Sequence, residues 1–269
     1  MVHTDAIRIV DTCVGCQKFA NQPHVPGAVL KTIPITWPFA VWGIDMVGPF
    51  KRARGGLTHL LVDVDKFSKW VEAKLIKKQD ATTAVKFLKE IIYRYGYPHS
   101  IITDNGSNFK GEFARYCGQN NIRLDLSSVA HPETNGQAER ANQMILRGIK
   151  PRLLAPLQRA AGAWIDELPS VLWSIRTTPN RSTGYTPFFL VYGAEAIMPS
   201  DIIHDSPRIS AYVEENNDFS RQDSLDLLEE ERELADSRSA VYQQNLRRYH
   251  SRRVKGRSFR EGDLVLRLI

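Results

Sequence analysis

Apolar positions recur along this chain in two periods, and the change from one to the other outlines the fold. In "FAVWGIDMVGPF", "LTHLLVDVDKFS" and "WVEAKLI", branched and aromatic residues crowd into short runs broken at Gly48-Pro49 and Gly55-Gly56. Such runs predict strands joined in a meander. The period then lengthens: "DATTAVKFLKEIIYRYG" sets Ala84, Leu88, Ile91, Ile92 and Tyr95 on one helical face, with Asp80 near its start and Gly96 at its end. "SIITDNGSNF" reads as a short buried strand ending at Asp104, followed by a helix around Glu112 to Gln119 and a further strand in "IRLDLSSV". Three strands and then alternating helix and strand predict an α/β class, a mixed five-stranded sheet with helices packed on it.

Past the fifth strand, Thr134 followed three residues later by Gln137 reads as a capping box. At about 100° per residue, the helix it starts puts Ala138, Ala141, Ile145, Gly148 and Ile149 on a buried stripe. Glu139, Gln143, Arg147 and Lys150 fall on a neighbouring polar face, which taken alone is an ordinary solvated one. "AWIDELPSVLWSIRTT" supplies Trp164, Leu168, Leu172 and Ile175 at helical spacing despite Pro169, and in "TPFFLVYG" Thr186 caps a helix with Pro187 at its first position and Gly193 just past its end. A long charged helix follows from Ser220 to about Tyr249, and "GDLVLRLI" reads as a last strand.

With 269 residues, 42% of them hydrophobic, the chain can bury a substantial core. No apolar run approaches the roughly 18 residues of a membrane span, and the start lacks the apolar block of a signal peptide, so a nuclear or cytoplasmic location without membrane contact is expected. Three cysteines in so long a chain point to reduced thiols, with Cys117 inside an apolar helical segment. The net charge of +6 favours a polyanionic partner, and its distribution says more than its total. Glu214 to Asp236 holds ten acids against Arg221 and Arg232, whereas Leu246 to Arg260 holds seven bases, among them Arg247, Arg248, Arg252 and Arg253, and no acid. That second segment is a candidate phosphate-backbone contact.

Asp45 lies mid-strand between Ile44 and Met46, where a lone charge is costly to bury. Asp104 sits where a buried strand meets Asn105-Gly106, and Glu139 lies on the later helix. If the two strands are neighbours and the helix crosses them, three carboxylates converge. Two carboxylates about 4 Å apart repel by roughly 4 kcal/mol at an effective dielectric near 20, so a cation must sit between them. Oxygen donors select Mg²⁺ or Mn²⁺, and two such ions clamp the attacking and leaving oxygens of a phosphoryl transfer. Gln143, Arg147 and Lys150 then extend along one side of the helix, where a nucleic-acid backbone can lie. Serine-hydrolase elbows, phosphate-binding glycine loops and dinucleotide fingerprints are missing.

The ordered blocks "WGIDMVGPF", "VDKFSKWVEA", "ITDNGSNF", "SSVAHPETNGQAERAN" and "GYTPFFLVYGAEAIMP" resemble the integrase of Gypsy-type (Metaviridae) long-terminal-repeat retrotransposons of plants. The resemblance implies a ribonuclease H-like central domain, Asp45, Asp104 and Glu139 as the catalytic, metal-binding triad, and joining of the element's 3′ DNA ends to target DNA by a homo-oligomer. Asn105, His131 and Gln137 join the helix residues as candidate DNA contacts. Asp63 and Asp65 alternate on one strand, but similar proteins carry Asp65 without using it in the triad, so it is read as a turn or capping residue.

Three departures accompany the likeness. The spacing from Asp104 to Glu139 is one residue short of the family's usual one, which places a deletion around Lys110. The family's amino-terminal zinc module has two histidines upstream of a Cys-x-x-Cys pair, whereas here only His3 precedes Cys13 and Cys16, leaving fewer than four ligands. A thiol pair without zinc is expected. "FREGDLVLRLI" resembles only the first strand of the family's carboxy-terminal small β-barrel. The implied division is a remnant of the zinc module and a connector at 1–35, the catalytic core at 36–200, a linker at 201–219, the charged helix at 220–252 and the start of the barrel at 253–269. The competing readings are a non-catalytic nucleic-acid-binding remnant of such an integrase and a simple ribonuclease H-type hydrolase.

Overall fold

A strand that is apolar on both faces must be covered twice, and this requirement builds the domain. The computed structural model describes residues 37–126, 140–146, 164–210 and 217–251. Strands β1 (Val41–Val47), β2 (His59–Asp65) and β3 (Val71–Ile76) pair antiparallel in chain order. β4 (Ser100–Thr103) and β5 (Arg123–Leu126) add on the other side in parallel, giving the order β3-β2-β1-β4-β5. β1 therefore has an antiparallel neighbour on one side and a parallel one on the other.

Helix α1 (Ala81–Tyr95) and helix α2 (Glu112–Gln119) cover one face. Trp42, Ile44 and Leu61 of the sheet are buried there with Leu88, Ile91 and Phe113. Each such side chain contributes about 1.5–3 kcal/mol by leaving water. The opposite face, with Leu60, Val62 and Val64, packs against Ala141 and Ile145 of a helical run at 140–146 and against Trp164, Leu168 and Leu172 of helix α3 (Trp164–Arg176). The two ends of α1 are closed as the residue pattern predicts: Asp80 accepts from the Thr83 backbone N–H at 2.7 Å, and Gly96, at φ 86°, returns its N–H to the Ile92 carbonyl.

A buried acid ties three elements together. Glu72 on β3 accepts from the Trp70 indole at 2.9 Å and the Tyr95 hydroxyl at 2.5 Å, and forms ion pairs with Arg94 at 2.8 Å and Arg176 at 3.1 Å. Burial raises its pKa, but these four partners outweigh burial and hold it below the usual carboxylate range. Asp65 is a structural acid as well. Its carboxylate accepts from the backbone N–H of Phe39 at 3.0 Å and from both the N–H and the hydroxyl of Ser68 at 2.7 and 2.5 Å, so it closes the turn after β2. Cys117 is 1% exposed in the α1–α2 core, and burial pushes its thiol up to about 11.

Helix α4 (Pro187–Tyr192) begins at the Thr186 cap, whose hydroxyl accepts from the Phe189 N–H at 3.0 Å, and ends at Gly193 in the left-handed region. Two short helices follow, α5 (Pro199–Ile203) and α6 (Pro207–Ser210), then the long helix α7 (Asn217–Ser251). α7 is fastened to α4 by Arg232, which donates to the Leu190 carbonyl at 3.0 Å, and to the segment before α4 by Arg238, which lies 5.0 Å over the Tyr185 ring. The described elements as far as Asn245 belong to one compact unit, and the last residues of α7, from Leu246, belong to a second. Among the described residues no helix is long and apolar enough to cross a membrane. The thiol pair Cys13 and Cys16 and the carboxy-terminal strand lie outside the described residues.

Candidate active site

Two acids 59 positions apart in sequence belong to neighbouring parallel strands, Asp45 on β1 and Asp104 directly after β4. Val41 stands opposite Ser100, Trp42 opposite Ile101 and Gly43 opposite Ile102. The paired register ends at Gly43 and Ile102, two residues short of Asp45 and of Asp104.

The two acids are held differently. Asp45 is half-buried and opposes Val62 across the β1–β2 ladder, on the face covered by residues 140–146. Its Oδ1 accepts from the Met46 N–H at 2.7 Å, and its Oδ2 accepts from Nδ2 of Asn142 at 2.6 Å. Because a carboxylate only accepts, the Asn142 carboxamide must turn its nitrogen toward Asp45. Asp104 is exposed, and its Oδ1 accepts from the Gly106 N–H at 3.1 Å. A Cβ at Gly106 would stand 2.9 Å from that oxygen, so a larger residue there displaces the carboxylate. The turn then continues through a 3₁₀ segment at Ser107–Phe109, where Asn108 places Nδ2 3.8 Å from the Met46 sulfur and Phe109 enters the core. The residue next to Asp45 and the turn next to Asp104 therefore touch.

A buried cation lies nearby. The Lys66 backbone N–H donates to the Val41 carbonyl at 2.8 Å, and the residue is 2% exposed. Burial and the charge of Lys69 lower the Lys66 pKa to about 7, while Asp63, Asp65 and Asp45 pull it upward. Burial likewise holds the Asp63 carboxyl well above the usual range. Neither Asn142 nor Lys66 stands out from periodicity. The available signals were Asn142 one helical turn after Glu139 and the run of charges Asp63, Asp65, Lys66 inside an apolar stretch.

The remaining sequence candidates divide between those the structure places and those it does not describe. Asn105 is exposed beside Asp104, and Gln143 is exposed beside Asn142. Arg247 and Arg248 lie on α7 in the second unit. Glu139, His131, Gln137, Arg147, Lys150, Arg252 and Arg253 lie outside the described residues, as do Cys13 and Cys16. Among the described residues no three His, Cys, Asp or Glu side chains group to hold a metal ion. Asp45 and Asp104 supply oxygen donors only, and one of them is open to solvent, which fits a hard divalent cation.

Comparison with known proteins defines the class this geometry belongs to. Residues 36–132 match the Integrase core domain family. The chain is 32% identical over 260 residues to the Pol polyprotein of Radiation murine leukemia virus (strain Kaplan), covering 96% of this chain and 42% of that protein. It is 31% identical over 220 residues to the uncharacterized protein K02A2.6 of Caenorhabditis elegans, covering 78% of this chain and 16% of that protein. The chain thus spans less than half the length of these curated relatives. Among solved structures, the simian T-cell lymphotropic virus intasome in complex with the PP2A regulatory subunit B56 gamma aligns with a TM-score of 0.53 at 26% identity, over 73% of this chain and 68% of that one.

The mixed sheet with its flanking helices is therefore the ribonuclease H-like fold of integrase cores. Residues 36–132 thus match an integrase core domain, and the chain is similar to a retroviral Pol protein.

Proposed function

We propose that this chain is the integrase of a Gypsy-type retrotransposon, a metal-dependent polynucleotidyl transferase that joins the 3′ ends of element DNA to target DNA. The observation that carries the reading is that Asp45 lies on β1 and Asp104 directly after the neighbouring parallel strand β4, with Asn142 bonded to Asp45. Asn142 comes three residues after Glu139 in the sequence. Three positions are close to one helical turn.

In this reading Asp45, Asp104 and Glu139 hold Mg²⁺ or Mn²⁺, which when bound polarises the phosphate and favours the deprotonated hydroxyl. The protein's own part is positional. Asn142 fixes one oxygen of Asp45, the Gly106 N–H fixes one oxygen of Asp104, and exposed Asn105 and Gln143 flank the pair where a DNA backbone would lie. In the joining step the 3′ oxygen of the element end bonds to a target phosphorus as that phosphorus releases its own 3′ oxygen. One phosphodiester replaces another, so no outside energy source is needed.

Strand joining on an end-plus-target DNA substrate with Mg²⁺ or Mn²⁺ tests the proposal. The expected result is joining by the native chain and none by Asp104→Asn, whose fold stays intact because asparagine still accepts the Gly106 N–H. Equal joining by the variant would refute the assignment. DNA binding without joining by the native chain would favour the non-catalytic remnant, and cleavage of the RNA strand of a hybrid would favour the hydrolase.

A further inference from the structure

Where helices α1 and α2 lie side by side, tyrosine rings gather at the surface. The Thr82 hydroxyl of α1 donates to Glu112 of α2 at 2.6 Å, and further along Lys89 of α1 sets its ammonium 5.2 Å from the centre of the Tyr116 ring on α2. At about 100° per residue, Thr82, Lys86, Lys89 and Tyr93 fall within about 60° of one another, so they share one stripe of α1. Tyr93 is 80% exposed, and Tyr97, one residue past the Gly96 cap, is 64% exposed. Burial raises the pKa of the half-buried Tyr116, and the nearby Tyr97 and Tyr93 raise it too. Single exposed aromatics are ordinary, whereas three neighbouring ones form a surface suited to a partner.

Charge and ring chemistry decide which partner fits. Lys86 is exposed and Lys89 half-buried, while the acids beside them are engaged: Glu90 pairs with Lys74, and Glu112 accepts from Thr82. Open ring faces next to ammonium groups match a single-stranded nucleic acid, whose bases stack on the rings as its phosphates meet the lysines. A duplex keeps its base faces inside the stack and gains nothing from the tyrosines. Each ring also carries a hydroxyl, which can bond a ribose 2′-OH, so RNA gains over DNA. We infer that Tyr93, Tyr97 and Lys86, backed by Tyr116 and Lys89, form a stacking site for single-stranded RNA. The site is apart from the acids. α1 ends shortly before β4 begins at Ser100, whereas Asp104 follows the far end of that strand, about 13 Å along at 3.3 Å per residue. α1 and α2 also cover the face of the sheet opposite to that of Asp45. RNA on the tyrosines and DNA at the acids therefore use different surfaces.

Fluorescence anisotropy of the full chain, free of metal, with an unstructured RNA of about 12 nucleotides tests it, beside single-stranded DNA of matching sequence and a duplex DNA. Contacts to phosphate alone treat the two single strands alike, so the tyrosines are read from the difference. RNA should bind more tightly than single-stranded DNA. Tyr93→Ala combined with Tyr97→Ala should weaken RNA binding by more than about tenfold, with duplex DNA binding and strand joining unchanged. Both rings are exposed, so helix content measured by circular dichroism should hold. Tyr93→Phe combined with Tyr97→Phe keeps the rings and removes the hydroxyls. RNA affinity should then fall to that of single-stranded DNA, while DNA affinity stays. RNA carrying 4-thiouridine should crosslink under ultraviolet light to the peptide that holds Tyr93 and Tyr97. RNA bound no more tightly than single-stranded DNA by the native chain, or RNA binding untouched by the double alanine variant, would overturn the inference. Either result leaves the strand-transfer reading standing, because joining is measured on DNA.

Discussion

Asn142 and Asp45, 97 positions apart in sequence, meet through a 2.6 Å hydrogen bond from Nδ2 to Oδ2. The bond ties the helical run that follows Glu139 to the central strand of the sheet. It also spends one oxygen of Asp45 on a neutral donor, which orients the carboxylate without cancelling its charge.

Replacing Asn142 with alanine removes that orientation while Met46 still donates to Oδ1 of Asp45. Strand joining should fall about 10- to 100-fold, the usual cost of losing a partner behind a metal ligand. DNA binding, measured by fluorescence anisotropy, should stay within about twofold of the native chain, since Asn142 is buried and phosphate contacts from other residues dominate affinity. An equal loss of binding and joining would show that Asn142 acts on DNA instead of Asp45.

Gly106→Ala places a methyl group 2.9 Å from Oδ1 of Asp104. The carboxylate, at the exposed end of a flexible side chain, swings aside, so the melting temperature should barely move while joining drops by about tenfold or more. Unaltered joining would mean that the position of Asp104 in this turn does not matter to the chemistry.

Glu72 is the stability counterpart of the active-site acids. Glu72→Gln leaves Arg94 and Arg176 without their carboxylate and should cost about 3 kcal/mol in urea unfolding. The pH dependence has a definite sign. A carboxylate whose folded pKa lies below its unfolded value contributes stability above the unfolded value near 4.5, and loses it as pH falls through the folded one. Native protein should therefore lose stability from about pH 5 downward, and Glu72→Gln should lose less over that range. A parallel decline in both would move the acid sensitivity elsewhere.

Asp63 and Lys66 are both buried with no hydrogen-bond partner for their ionisable ends among the described residues, and burial pushes each toward its neutral form. Neither has a hydrogen-bonded partner there for its removal to strand, so Lys66→Met and Asp63→Leu should each destabilise by less than about 2 kcal/mol. Made together they should be near neutral or stabilising. A double-mutant cycle measured by urea unfolding reads the coupling directly, and strictly additive losses would show that the two charges stand apart.

The hydrophobic pattern alone marked out the strands at Val41–Val47, His59–Asp65 and Val71–Ile76 and the helix at Ala81–Tyr95. Local chemistry determines these: branched residues favour extended backbone, and Asp80 and Gly96 close a helix whatever surrounds it. The positions of Asp45, at the middle of an apolar strand, and of Asp104, at the end of another, were legible for the same reason. That the strand before Asp104 runs beside the strand of Asp45 was not, because strand order depends on which apolar faces cover one another across 59 positions of chain. The roles of the other charges were equally hidden. Glu72, Asp65, Asp63 and Lys66 look alike in sequence as charges at the edge of apolar runs, and only folding separates them. Glu72 meets two arginines, Asp65 meets backbone N–H groups, and Asp63 and Lys66 are enclosed where water cannot solvate them. Sequence fixes which groups can ionise and which backbone they favour, whereas the dielectric and the partners around each group exist only once distant segments have packed.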